Sequence, residues 1–239
     1  MRIVIAEFMD EPAVAYLAAR HETRYEPTLT ERRQALLAAV ADADALIVRN
    51  RTRVDTEMVA AAQRLRVVGR LGVGLDNIDV AACAARGIEV IPATGANAQA
   101  VAEYVIATAF LLLRGAYFST TAVAAGEWPR ARLSSGLELH GKTLGLVGFG
   151  SIGRATARLG RAVGMSAIGF DPYVPASADV WIDEATTPRR LDEVLRDADV
   201  VSLHVPLGDA TRGLIGAKEL ALMRRDAVLV NTARGGVID

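Results

Sequence analysis

The sequence predicts an α/β protein of two parts, each a parallel sheet with helices on its faces. Three observations carry the prediction. Short β-rich runs alternate with helical patterns up to about residue 98, and a second alternation begins at Lys142. The second one opens on a buried-strand pattern that runs into Gly-x-Gly-x-x-Gly. Strands separated by helices must cross over, so they pair in parallel with helices covering the sheet.

In chain order, Arg2–Ala6 reads as the first strand. Thr28-Leu29-Thr30-Glu31 has capping-box spacing, and Leu36, Leu37 and Val40 follow on one helical face. Ala45–Arg49, Arg66–Arg70 and Ile88–Ile91 read as strands, with alanine-rich helices at Thr56–Arg64 and Asp79–Arg86 between them. Gln99 to about Ala125 reads as one very apolar helix, broken by Gly126-Glu127-Trp128-Pro129. The later strands are Thr143–Val147, Ala167–Phe170, Val200–Leu203 and Val228–Asn231. Thr187-Pro188 reads as an N-cap followed by proline at the first helical position. These patterns divide the chain into residues 1–98 and 99–239.

The glycine motif carries the chemistry. Leu144 to Val147 lead into Gly148-Phe149-Gly150-Ser151-Ile152-Gly153. Gly148 permits a tight turn, Gly150 lets a pyrophosphate approach the backbone, and Gly153 lets the helix pack on the strand. The first N–H groups of that helix face the anionic phosphates. A second strand ends at Asp171, eighteen residues past Gly153, where a carboxylate hydrogen-bonds an adenosine ribose. Asp171 repels a 2′-phosphate, and Pro172-Tyr173 bring no arginine. The second part is therefore a Rossmann domain, and its expected cofactor is NAD rather than NADP.

Composition narrows the alternatives. The chain is 239 residues long, 51% hydrophobic and 23% charged, so it can bury a core and is not disordered. A net charge of −1 with dispersed cations gives no reason to expect nucleic acid or a membrane surface. Cys83 is the only cysteine, so no internal disulfide or cysteine metal site forms, and it reads as a small buried helix residue. The N-terminal apolar run is too short for a signal peptide, and the Tyr104–Leu113 stretch is too short to span a bilayer. A cytoplasmic protein without a metal is the expectation.

The chain resembles the D-isomer-specific 2-hydroxyacid dehydrogenases along its whole length. The resemblance runs through Ile47-Val48-Arg49-Asn50-Arg51-Thr52, Val68 to Asp79, Gly95-Ala96-Asn97 and Val101-Ala102-Glu103-Tyr104. It continues through Ser202-Leu203-His204-Val205-Pro206-Leu207 and Asn231-Thr232-Ala233-Arg234-Gly235-Gly236. Glu7 to Glu11, Arg49 to Arg53 and Gly115 to Arg130 are similar to its phosphoglycerate and sulfolactate dehydrogenase branch.

The resemblance implies oxidation of a 2-hydroxy acid to the 2-oxo acid, with hydride passing to NAD. It implies a Rossmann sheet, incomplete at its C-terminal end, and a flavodoxin-like substrate domain. It assigns Arg234 to the substrate carboxylate, for which a planar guanidinium is suited. Gly72, Val73 and Gly74 then offer backbone to the substrate, and Asn97 helps position it. Cofactor contacts fall on Gly148, Gly150, Ser151, Ile152, Gly153, Asp171, Val205, Pro206, Thr232, Ala233 and Arg234. The family's catalytic glutamate and histidine would lie beyond Asp239, and none of His21, His140 and His204 matches the base position; His21 and His140 read as exposed loop residues. Turnover by residues 1–239 alone is therefore doubtful. The family also implies a homodimer through the NAD-binding domain, although Val101–Leu113 reads equally as an internal core helix.

Arg49 and Arg51 lie two apart at a strand end and so point the same way, and Arg70 ends the next strand. This concentration of cations suits a second anion on carbon 3, a phosphate or sulfonate, with malate-like carboxylates also possible. The same arginines could instead pair with Asp42, Asp44, Asp55 or Asp76. An NAD-binding sensor resembling a corepressor, or an inactive fragment, are the non-enzymatic alternatives.

Overall fold

The computed structural model describes residues 1–239, which fall into two compact units, Met1–Ala96 and Asn97–Asp239. The first unit contains, in order, β1 (Arg2–Ile5), α1 (Glu11–Ala18), β2 (Glu22–Tyr25), α2 (Arg33–Val40), β3 (Ala45–Val48), α3 (Thr56–Ala61), β4 (Val67–Arg70), α4 (Val80–Ala85) and β5 (Glu89–Pro92). All its strands are parallel, in the order β2-β1-β3-β4-β5. This is the flavodoxin-like order, whose switch point lies between β1 and β3. Asp55 and Asp79 start α3 and α4 by accepting the N–H of Met58 at 3.0 Å and of Ala82 at 2.9 Å. The core packs Leu36, Val40, Leu46, Met58, Val68 and Cys83 between sheet and helices.

The second unit contains α5 (Ala98–Arg114), α6 (Thr120–Ala124), α7 (Arg130–Leu133), β6 (Thr143–Val147), α8 (Ser151–Ala162), β7 (Ser166–Phe170), α9 (Asp179–Asp183), β8 (Thr187–Pro188), α10 (Leu191–Asp197), β9 (Val200–Leu203), α11 (Ala217–Leu222) and β10 (Val228–Asn231). Its parallel sheet runs β10-β9-β6-β7-β8. Counted from β6, this is the Rossmann order without a sixth strand, and the strand order, not the chain direction, reverses between β6 and β9. Helix α5 buries Ala102, Val105, Ile106, Ala109 and Leu113 on one face. Small residues make its seat: Ala98 and Ala102 cluster with Ala155 of α8. No single helix is long and apolar enough to cross a membrane.

Four local expectations need correction. Thr28 forms no capping box; a 3₁₀ turn occupies Leu29–Glu31, and α2 begins only at Arg33. The helix expected over Gln99–Ala125 stops at Arg114, because Gly115 takes the left-handed conformation (φ 67°) and ends it. Thr187-Pro188 does not cap a helix; it pairs with Ile168 and Gly169 as the edge strand β8, where a proline leaves no ladder bond unmade. His21, read as an exposed loop residue, is half-buried.

Candidate functional site

In the second unit, the expected cofactor residues gather at the carboxyl ends of β6, β7, β9 and β10, around the switch point. The three glycines differ in what surrounds them. Gly148 has φ +94°, and a Cβ there would lie 2.7 Å from the His204 carbonyl oxygen, so both conformation and space demand glycine. A Cβ on Gly153 would overlap the Gly148 carbonyl oxygen, the close helix–strand contact the motif predicts. Nothing lies within 4 Å of a Cβ on Gly150. Open space above a backbone that begins a twelve-residue helix is where a diphosphate fits.

Two further groups hold this loop. Phe149 is buried and stacks on Trp181, with ring centroids 4.1 Å apart. The Asp171 carboxylate accepts the Phe149 N–H at 2.8 Å and the Tyr173 N–H at 2.9 Å. Asp171 is thus tied to the loop while staying half-exposed, with lone pairs left for a ribose diol.

After β10, Asn231 shapes the Thr232–Arg234 turn. Its Nδ2 donates to the Arg234 carbonyl at 2.9 Å, and its Oδ1 accepts the Ala233 N–H at 3.0 Å. Arg234 is half-buried and donates through Nη1 to the Ala233 carbonyl at 2.9 Å. The Thr232 hydroxyl and both His204 ring nitrogens are buried without a hydrogen-bond partner. Buried polar groups are rarely left so, and a polar ligand at this edge supplies partners. Burial lowers the His204 pKa from 6.5 to about 4, so its imidazole is neutral at physiological pH. Val205 and Pro206 follow it, half-buried and exposed respectively. The open Gly150 and these orphaned groups fit a dinucleotide. Ser151, Ile152 and Gly153 follow the Gly150 opening, Asp171 stands just past β7, and Thr232 to Arg234 stand just past β10.

The first unit gathers its expected substrate residues on loops after β3 and β4. Arg49 is exposed, lies in no ion pair, and places its guanidinium 5.9 Å from the Phe8 ring centroid. Arg51 pairs with Glu31 at 3.1 Å rather than with any of the aspartates considered from the sequence. Both partners of that pair are more than half exposed, so it holds Arg51 weakly. Arg70 is buried, and its Nη1 donates to the Leu71 carbonyl at 2.9 Å. Its guanidinium occupies the space a side chain at position 72 would need, and Gly72 has φ +146°, so only glycine suits that turn. Val73 is exposed, Gly74 half-buried. Asn97 belongs to the second unit, where it stands at the start of α5 without a side-chain cap bond.

Two residues of the first unit escape a reading of the sequence as site residues. Glu7, just past β1, is only 4% exposed. Its carboxylate accepts the N–H groups of Arg49 at 2.8 Å, Arg51 at 3.1 Å and Thr52 at 2.9 Å. Burial pushes its pKa up, but the N–H groups of Thr52, Arg49 and Arg51 outweigh that and hold it below the usual value. From the other side, Asn77 Nδ2 donates to the carbonyls of Arg49 at 3.3 Å and Thr52 at 2.6 Å. The sequence shows only a charged residue after a strand and an asparagine in a loop; no periodicity marks either.

Residues 106–239 match the family model for the D-isomer specific 2-hydroxyacid dehydrogenase NAD binding domain. The chain is 52% identical over 237 residues to a (S)-sulfolactate dehydrogenase of Chromohalobacter salexigens, covering 99% of this chain and 76% of that protein. It is 38% identical over 242 residues to a D-3-phosphoglycerate dehydrogenase of Methanocaldococcus jannaschii, covering 100% of this chain and 45% of that one. The NAD+-bound 3-phosphoglycerate dehydrogenase of Entamoeba histolytica superposes with a TM-score of 0.82 at 27% identity, covering 100% of this chain and 74% of the other.

Proposed function

The chain belongs to the D-isomer-specific 2-hydroxyacid dehydrogenases, NAD-dependent oxidoreductases, and on that footing we propose that it oxidises a 2-hydroxy acid bearing a second anion on carbon 3, 3-sulfolactate or 3-phosphoglycerate. The observation that carries this substrate class is Arg49, an exposed guanidinium in no ion pair, two residues from a weakly held Arg51. Arg234 is assigned to the carboxylate of carbon 1, and the loop of Gly72, Val73 and Gly74 to the substrate backbone. Residues 1–98 are assigned to substrate and 99–239 to cofactor, with Arg234 of the second part serving both.

Oxidation removes a hydride from carbon 2 and releases the hydroxyl proton to a base or to solvent. NAD, when bound, accepts the hydride. The protein's part is to fix the acid so that its carbon 2 hydrogen is presented, and a guanidinium fork holding a carboxylate fixes orientation as well as charge.

A homodimer through the second unit is part of this reading. Phe110, Leu112, Tyr117, Phe118 and Trp128 are large apolar residues left exposed on and after α5. The chain's working compartment is the cytoplasm.

The test is a kinetic comparison of 3-sulfolactate, 3-phosphoglycerate, malate and lactate with NAD. The proposal expects the sulfonate or phosphate to be preferred, and Arg49→Ala or Arg51→Ala to erase that preference. Unchanged kinetics in both variants on every anionic substrate would remove the assignment. NAD binding with no binding of any of these acids is the outcome expected of a sensor.

A further inference from the structure

The switch point of the first unit, between β1 and β3, is where a doubly wound sheet ordinarily receives a ligand. Here the protein fills it with its own anion. The loop after β3 presents the N–H groups of Arg49, Arg51 and Thr52 to one spot, and the Glu7 carboxylate sits there. Glu7 forms no ion pair, so hydrogen-bond donors of this loop balance its charge. An incoming substrate anion therefore finds the backbone donors already taken. The exposed side chains of Arg49 and Arg51 remain to engage it.

We propose that Glu7 and Asn77 are positioning residues that clamp the Arg49–Thr52 loop and so set the direction of the two guanidinium groups toward the second anion of the substrate. Glu7 takes the loop's N–H groups, and Asn77 donates to its Arg49 and Thr52 carbonyls. The backbone is held from both sides. The side chains that project from it are exposed and otherwise tethered only by Phe8 and Glu31. Loop geometry is thus what decides where the positive charge lies. The inference rests on the reading of Arg49 and Arg51 as anion ligands. It adds that specificity depends on a residue which never touches substrate.

The test is calorimetric binding to the NAD-saturated protein, with 3-phosphoglycerate and glycerate as probes; glycerate lacks the second anion. Glu7→Gln keeps the shape but places an amide N–H against backbone N–H groups. A hydrogen bond to a charged acceptor is worth about a tenfold factor or more, so 3-phosphoglycerate affinity should fall about tenfold. Glycerate and NAD affinities should change less than about twofold, a split that general loosening of the fold would not give. Amide hydrogen exchange at Arg49, Arg51 and Thr52 should accelerate in the same variant. Asn77→Ser provides the second arm should Glu7→Gln fail to fold, and the same split is expected of it. If Arg49→Ala weakens 3-phosphoglycerate binding while Glu7→Gln and Asn77→Ser leave it unchanged, the positioning role is overturned and the anion reading stands. If Arg49→Ala and Arg51→Ala leave it unchanged, the anion reading itself fails.

Discussion

Substituting the second and third glycines of the loop with alanine separates cofactor binding from folding. Gly150→Ala adds a methyl group into space with no protein atom within 4 Å. Gly150 is the N-cap of α8, with φ −73°, a conformation open to alanine. The loss of stability should stay under about 1 kcal/mol, the typical cost of alanine at an N-cap. The same methyl stands where the diphosphate must approach. Forcing one methyl into a close contact costs about 1–3 kcal/mol, which is roughly 5- to 150-fold in Kd. Gly153→Ala behaves differently, because its Cβ would overlap the Gly148 carbonyl oxygen, a backbone atom that cannot swing away. It should lose about 1–3 kcal/mol of stability, less the helix-propensity gain of up to about 1 kcal/mol, and NAD affinity with it. Urea unfolding of the apo protein and calorimetric NAD titration measure the two quantities independently. NAD affinity within twofold of wild type in Gly150→Ala would refute the placement of the diphosphate. An undiminished stability in Gly153→Ala would refute the packing argument.

Asp171→Asn keeps an acceptor for the Phe149 N–H but removes the negative charge. NADP binding should strengthen relative to NAD by about tenfold, and an unmoved ratio in parallel titrations would undo the ribose assignment. His204 has a folded-state pKa of about 4 against 6.5 when unfolded, so the unfolded chain binds the proton first as pH falls. Its contribution is complete above pH 6.5 and drains away as pH falls toward 4, by about 3 kcal/mol at about 1.4 kcal/mol per unit. Urea unfolding at several pH values should show a shallower acid loss in His204→Leu than in wild type; parallel curves would contradict this. Ala185 is the only non-glycine residue with positive φ, at 40°. Ala185→Gly should relieve about 1–2 kcal/mol of local strain, offset by about 0.4–1 kcal/mol from the freer unfolded chain. A small rise in Tm is expected, and a fall would mean that the strain is absent.

Much of this was legible because backbone geometry dictates residue type. Gly148 and Gly153 make the tight turn and the close helix–strand contact their spacing implied, and the apolar strands β3, β6 and β9 stand where Ala45–Arg49, Thr143–Val147 and Val200–Leu203 placed them, β3 ending one residue early. What escaped lacks an apolar signature. Strand β2 is Glu22-Thr23-Arg24-Tyr25, a polar edge strand whose period carries no hydrophobic contrast. The apolar run of α5 continues past Gly115, so the break depends on one left-handed residue rather than on polarity. Glu7, Asn77 and Asn231 act by satisfying backbone groups of distant or neighbouring loops, a role that depends on three-dimensional approach. The burial of Arg70, with its Nη1 on the Leu71 carbonyl, likewise has no signature in the sequence.

The most direct measurement of the central claim is calorimetric titration of NAD and NADP into the protein. One NAD per chain should bind saturably, and NADP at least about tenfold more weakly, as the Asp171 carboxylate beside the Gly150 opening requires. Absence of NAD binding, or equal affinity for the two nucleotides, would contradict the account.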